Sequence, residues 1–156
     1  AIAAAFSVDD PVEALRIGLT EIPCDCALAR AVRWALAVSP RIRNHRDARA
    51  AEDRRFAGMH QVHTVNNACL TVFGLTLGRG NFTRVIGETV AMGLDNDCTA
   101  ATAGSIFGAV YGRRAIPPRW HTPFGDTVHS YLNKRRKFRI SDLLLRFTRQ
   151  ARRIHA

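Results

Sequence analysis

Asp95 and Asp97 stand one residue apart, just ahead of the small-residue run Thr99-Ala100-Ala101-Thr102-Ala103-Gly104-Ser105. Such a run forms a tightly packed helix, and its start presents unpaired N–H groups and the positive end of the helix dipole to any nearby anion. Two carboxylates at this spacing can aim hard oxygen ligands at one point, which suits Mg²⁺, Mn²⁺ or Ca²⁺. The same pair serves simple helix capping, the more frequent use of acids at a helix start. Cys98 follows at once. Its soft sulfur suits Mg²⁺ poorly, so packing or a backbone contribution is the simpler role for it.

A second polar group lies upstream. His60 and His63 are three residues apart, and Asn66 and Asn67 follow within the next turn. Paired imidazoles could bind a metal or orient a phosphate, and the amides could bridge to the aspartate loop. Equally, each could be a buried hydrogen-bonded residue that fixes the local chain. His121, His129 and His155 have no partner at a telling spacing and read as surface residues.

The elements that position these groups are helical. Asp10-Pro11 opens a helix, Pro23 closes it, and Asp25 is placed to cap the next, which carries Leu28, Val32 and Leu36 and ends at Pro40. Residues 43–55 mix charges with small side chains and read as a solvated helix. From Thr64 to Leu77 the chain is almost continuously apolar apart from Asn66 and Asn67, which predicts a central buried helix. Asn81 caps a helix through Val90, Gly93 ends it, and Thr99 to Tyr111 forms the next. The small residues Ala101, Gly104, Ser105, Gly108 and Gly112 suggest close approach of a neighbouring backbone there. An extended Pro117-Pro118 connector, a short helix over 126–132 and a last helix capped by Ser141 complete the reading. Strand patterning is absent. The expected fold class is all-α, an orthogonal bundle of short helices around one core, as a single domain over residues 1–156.

The 156 residues suffice for one domain with a real core, and 47% hydrophobic content is that of a globular protein. No stretch is apolar enough to span a membrane, so no membrane partner and a cytoplasmic location are expected. The chain opens on Ala1-Ile2-Ala3-Ala4-Ala5-Phe6, which reads as the middle of a helix and thus as a cut edge. The net charge of +10 gathers in residues 134–139 and in the arginines of the last helix. A surface of that sign attracts polyanions, although no nucleic-acid-reading motif accompanies it. A non-catalytic basic helical module, binding an acidic partner or nucleic acid, is therefore the alternative to an enzyme. Four cysteines, two of them separated by a single residue, form no disulfide or zinc framework and are expected to be reduced and mostly buried.

The segment Gly93-Leu94-Asp95-Asn96-Asp97-Cys98 resembles the C-terminal metal motif of the ADP-ribosylglycohydrolase family, written Gly-x-Asp-Thr-Asp-(Thr or Cys) before a small-residue helix. Asn96 replaces the usual Thr. Upstream, residues 58–68 are similar to the His-Thr-x-Asn-Asn helix start of one bacterial branch, in which Cys also occurs at the place of Cys98. Downstream, Gly104-Ser105-Ile106-Phe107-Gly108-Ala109, Ile116-Pro117 and Trp120 follow the family order. The resemblance implies the C-terminal portion of an ADP-ribosylglycohydrolase-like fold, with Asp95, Asp97 and the place of Cys98 at a site for two Mg²⁺ ions (Mn²⁺ being an alternative). His60, His63, Asn66 and Asn67 would stand on the substrate side. It also implies hydrolysis of an N- or O-ribosyl bond in an ADP-ribosylated substrate. The family's other ligand set, a Thr-Asp-Asp run with an early Gly-rich acidic loop, has no counterpart here. The resemblance thus points to a C-terminal half, inactive alone, whose partner would be the missing N-terminal half.

Overall fold

The structure, a computed structural model, describes residues 1–154, so His155 lies outside the described residues. The chain forms two compact units, Ala1–Ile116 and Pro117–Ala156.

In the first unit, helices α1 (Ile2–Ala5), α2 (Pro11–Gly18), α3 (Ala27–Val38), α4 (His45–Arg55), α5 (Thr64–Gly78), α6 (Phe82–Ala91) and α7 (Asn96–Tyr111) follow one another through short turns. Most helix starts are chemically explicit. Asp10 accepts from the Val12 N–H at 3.0 Å with Pro11 beside it, and Asn44 accepts from the N–H groups of Arg46 and Asp47. Asn81 accepts from the Arg84 N–H at 3.0 Å. The cap of α3 differs from expectation: it is Cys26, whose sulfur accepts from the Ala29 N–H at 3.4 Å, and not Asp25.

Helix α5 is the axis of the unit. Being apolar on nearly every side, it must be covered on every side. Leu70, Val72, Phe73 and Cys69 pack with Ala31, Val32 and Ala35 of α3, Ala48 of α4 and Met92. Leu75 joins a second cluster with Ala5, Ala14, Val85 of α6, and Ala103, Ile106 and Phe107 of α7. Trp34 stands edge-on to Phe56 and Phe73, with ring centroids 5.6 and 5.9 Å away.

The close backbone approach is made by α5, not by α7 as its small residues suggested. A Cβ on Gly74 would fall 1.8 Å from Thr89 Oγ1, and one on Gly78 would fall 2.0 Å from Val85 Cγ2. Gly74 and Gly78, four residues apart, therefore form the groove into which α6 settles. On α7, a Cβ at Gly104 would make only an ordinary contact at 3.4 Å, and Ala101, Thr102 and Ser105 are exposed.

The second unit contains α8 (Pro118–His121), strands β1 (Thr127–His129) and β2 (Lys137–Arg139), and α9 (Ile140–Ile154). The expected helix over 126–132 is instead the first strand of an antiparallel hairpin that pairs Val128 with Phe138. Gly125 and Asp126 both take left-handed φ, +52° and +57°, which stops a helix from starting there. Asp126 also takes the capping role assigned to Ser141. Its carboxylate accepts from the Ser141 N–H at 2.8 Å, the Ser141 hydroxyl at 2.7 Å and Arg139 Nε at 3.1 Å, and these bonds, the serine's first, hold its carboxyl below the usual range.

Candidate metal centre

Asp95 is the N-cap residue of α7, yet its carboxylate makes no capping hydrogen bond. The plain capping account of the acid pair is thus not used at Asp95. One ligand atom from each of Asp95, Asp97 and Cys98 lies within 4.8 Å of the others, and among the described residues this is the group of such side chains that could hold a metal ion. Two carboxylates match a hard divalent cation. Cys98 fits it less well. The thiol is exposed, and its acidity is weakened first by the hydrogen bond to Asp95 and then by the charges of Asp95 and Asp97, so the protonated form is favoured.

The loop carrying Asp95 is strained and firmly held. Gly93 and Leu94 take consecutive left-handed φ values of +76° and +58°. For a leucine this costs roughly 1–2 kcal/mol, so the surroundings must impose it. Two contacts do so. The Asp95 N–H donates to Asn67 Oδ1 at 3.2 Å, and Arg49 Nη1 donates to the Met92 carbonyl at 3.1 Å.

Asn67 is the junction of this arrangement. Its Nδ2 donates to the carbonyls of Gln61 at 2.7 Å and His63 at 3.0 Å, while its Oδ1 takes the Asp95 N–H. The partners fix the amide orientation, since carbonyls need the NH₂ and an N–H needs the oxygen. Asn66, 1% exposed, donates to the His60 carbonyl at 3.2 Å and accepts from the Asn67 N–H at 2.9 Å. One polar network therefore binds the 60–63 turn to the aspartate loop.

His60 and His63 are both exposed. Nδ1 of His60 accepts from the Val62 N–H at 3.3 Å, and Nδ1 of His63 accepts from the Val65 N–H at 3.1 Å, where it caps α5. Both Nδ1 atoms thus serve the backbone, leaving each Nε2 edge for other contacts. A cleft of about 240 Å³ opens beside Asp95 and Cys98, floored by Asn67, Ala68 and Thr71 and walled by Thr99 and Thr102. Asp95, Cys98 and Asn67 share that cleft, whereas neither histidine lines it.

Helix α4 contributes what its sequence did not suggest. Arg49 reaches Asp53 at 2.9 Å as well as Met92. Glu52 is only 2% exposed, and its Oε2 has no hydrogen-bond partner among the described residues. Burial pushes the Glu52 carboxyl up, against the opposing pull of the Asn66 amide and Arg49. A run of Arg, Asp, Ala and Glu carries no apolar stripe, so the sequence offered no signal that one glutamate faces inward. The expectation of mostly buried thiols also needs correction. Only Cys69 is buried, where desolvation first and Glu52 second push its thiol up to about 12; Cys24 and Cys98 are exposed.

Comparison with known proteins gives the class. The family model of ADP-ribosylglycohydrolase matches residues 1–152, and this chain belongs to that family. Its all-α architecture is that of an ADP-ribosylglycohydrolase-like fold, and at family level it is an ADP-ribosylglycohydrolase-like hydrolase. No curated protein and no solved structure matches.

Proposed function

We propose that this chain supplies the aspartate-loop half of a divalent-metal site that hydrolyses an N- or O-ribosyl bond in an ADP-ribosylated substrate. The observation that carries the reading is the Asp95 carboxylate, free of its capping duty and gathered with Asp97 and Cys98 within 4.8 Å. Asp95 and Asp97 would hold Mg²⁺, or Mn²⁺ in its place, with Cys98 beside them as a neutral thiol. A bound ion would supply Lewis-acid polarisation of ribose oxygens and of a water.

The chain's own groups divide the remaining work. Asn67 holds the Asp95 backbone, and Asn66 holds Asn67 and the 60–63 turn. His60 and His63 offer their outward imidazole edges to substrate, and the cleft beside Asn67 receives the part nearest the ion. A site of two ions needs a second ligand set besides this cluster. By itself the chain is expected to bind a divalent ion weakly and to turn over little substrate.

Calorimetric titration with Mg²⁺ and Mn²⁺ tests the reading, using the chain and its Asp95→Ala, Asp97→Ala double variant. Binding that the double variant abolishes supports it. Equal binding by both proteins, or none by the parent chain, removes the aspartate loop as a metal site.

A further inference from the structure

Charge is divided very unevenly along the chain. Residues 117–156 contain ten of the 23 Lys and Arg but only two of the 13 Asp and Glu, a net +8 against +2 for the preceding 116 residues. Among the described residues, none of the four arginines of α9 has an acidic partner.

The same unit exposes its apolar side chains. Ile140, Leu143, Leu144, Phe147, Ala151 and Ile154 recur at helical spacing and form one stripe of α9, with Arg146, Arg149, Arg152 and Arg153 turned away from it. No residue of this 15-residue helix is buried; Phe147 is 72% exposed and Ile154 69%. A helix of that length is marginal in water unless its apolar face is covered. The hairpin repeats the combination independently. Between β1 and β2, Tyr131 and Leu132 are exposed, and residues 134–137 that follow are all Lys or Arg.

We propose that this unit binds the surface of an anionic phospholipid bilayer. The stripe of α9 and the Tyr131-Leu132 tip enter the headgroup region, and the flanking cations meet lipid phosphates. Basic amphipathic helices lie on membranes in this way, and two apolar-plus-basic signals together anchor better than one. No helix among the described residues is long and apolar enough to cross a membrane, so the association is with the surface. Nucleic acid would account for the charge but not for the bare stripe of Leu144, Phe147 and Ile154. A peptide-binding groove would take α9 but leave the hairpin tip unexplained. A second copy would bring +8 against +8, which opposes association. The inference stands apart from the metal reading.

The test is vesicle flotation of the full chain at about 0.15 M salt. Vesicles of phosphatidylglycerol and phosphatidylcholine in equal parts should carry the chain at least about tenfold better than phosphatidylcholine alone. Leu144→Ser with Phe147→Ser, which leaves the charge unchanged, should weaken binding about tenfold or more. Phe147→Trp gives a readout that needs no disruptive change: its added emission should shift to the blue and be quenched by brominated acyl chains. Absence of flotation, full binding by the double serine variant, or emission of the Phe147→Trp variant that vesicles leave unaltered would each overturn the proposal. So would tighter binding to a mixed-sequence oligonucleotide that the serine pair leaves unchanged, which would assign the surface to nucleic acid.

Discussion

Replacing Asn67 with alanine tests how the aspartate loop is held. Asn67 is 7% exposed, so its side chain is satisfied by the protein and hardly by water. Four contacts disappear: Nδ2 to the Gln61 carbonyl, to the His63 carbonyl and to Asn66 Oδ1, and the Asp95 N–H to Oδ1. A net hydrogen bond contributes about 1 kcal/mol, and a buried group left unpaired costs roughly 1–3 kcal/mol. Since Gln61 and His63 are exposed, their carbonyls can recover water, while the half-buried Asp95 N–H loses the acceptor that holds its loop. The expected loss is about 3 kcal/mol, or on the order of 10 °C in the Tm of a unit this size. Urea denaturation measures the energy, and amide hydrogen exchange locates it. In Asn67→Ala the Asp95 amide should exchange faster, whereas Asn67→Asp keeps the acceptor and should preserve its protection while still losing stability. A loss below about 1 kcal/mol with unchanged Asp95 protection would refute Asn67 as the junction between the two loops.

Three further outcomes follow from other contacts. Gly74→Ala should destabilise by about 1–3 kcal/mol because its Cβ meets Thr89 Oγ1 at 1.8 Å, while Gly87→Ala, with nothing within 4 Å, should stabilise by about 0.5–1 kcal/mol; equal Tm shifts would sink the packing argument. Burial raises the pKa of Glu52 in the folded chain above its ordinary 4.5, so the stability it contributes is fully present below that value and lost as pH rises through the folded one. Glu52→Gln should therefore gain on the parent chain as pH climbs from 4.5, and parallel denaturation curves would contradict this. Cys98, its thiol kept protonated by Asp95 and Asp97, should react with iodoacetamide more slowly than exposed Cys24, and Asp95→Asn should speed it; matched rates in all three measurements would count against the contact.

Helices whose signals are local were legible from the residues alone. Asp10-Pro11 and Asn81 sit where caps must sit, and the apolar run from Thr64 could only be a helix covered on all sides. The ordered motifs from Gly58 to Trp120 made the family legible, because several fixed spacings had to coincide. Features that depend on partners distant in the chain emerged only from the packing. The loop that carries Asp95 is tied to Asn67, 28 residues away, through the Asp95 N–H. Whether α4 is solvated turns on Glu52 and Arg49 meeting Asn66 and Met92, contacts that no local pattern encodes. The glycines that matter for close approach are those facing Thr89 and Val85, and a small residue alone does not reveal what it faces. Thr127–His129, within the expected helix, form a strand because Lys137–Arg139 pair across from them. Local chemistry fixes how a segment begins and ends, while the use of a side chain is set by the element packed against it.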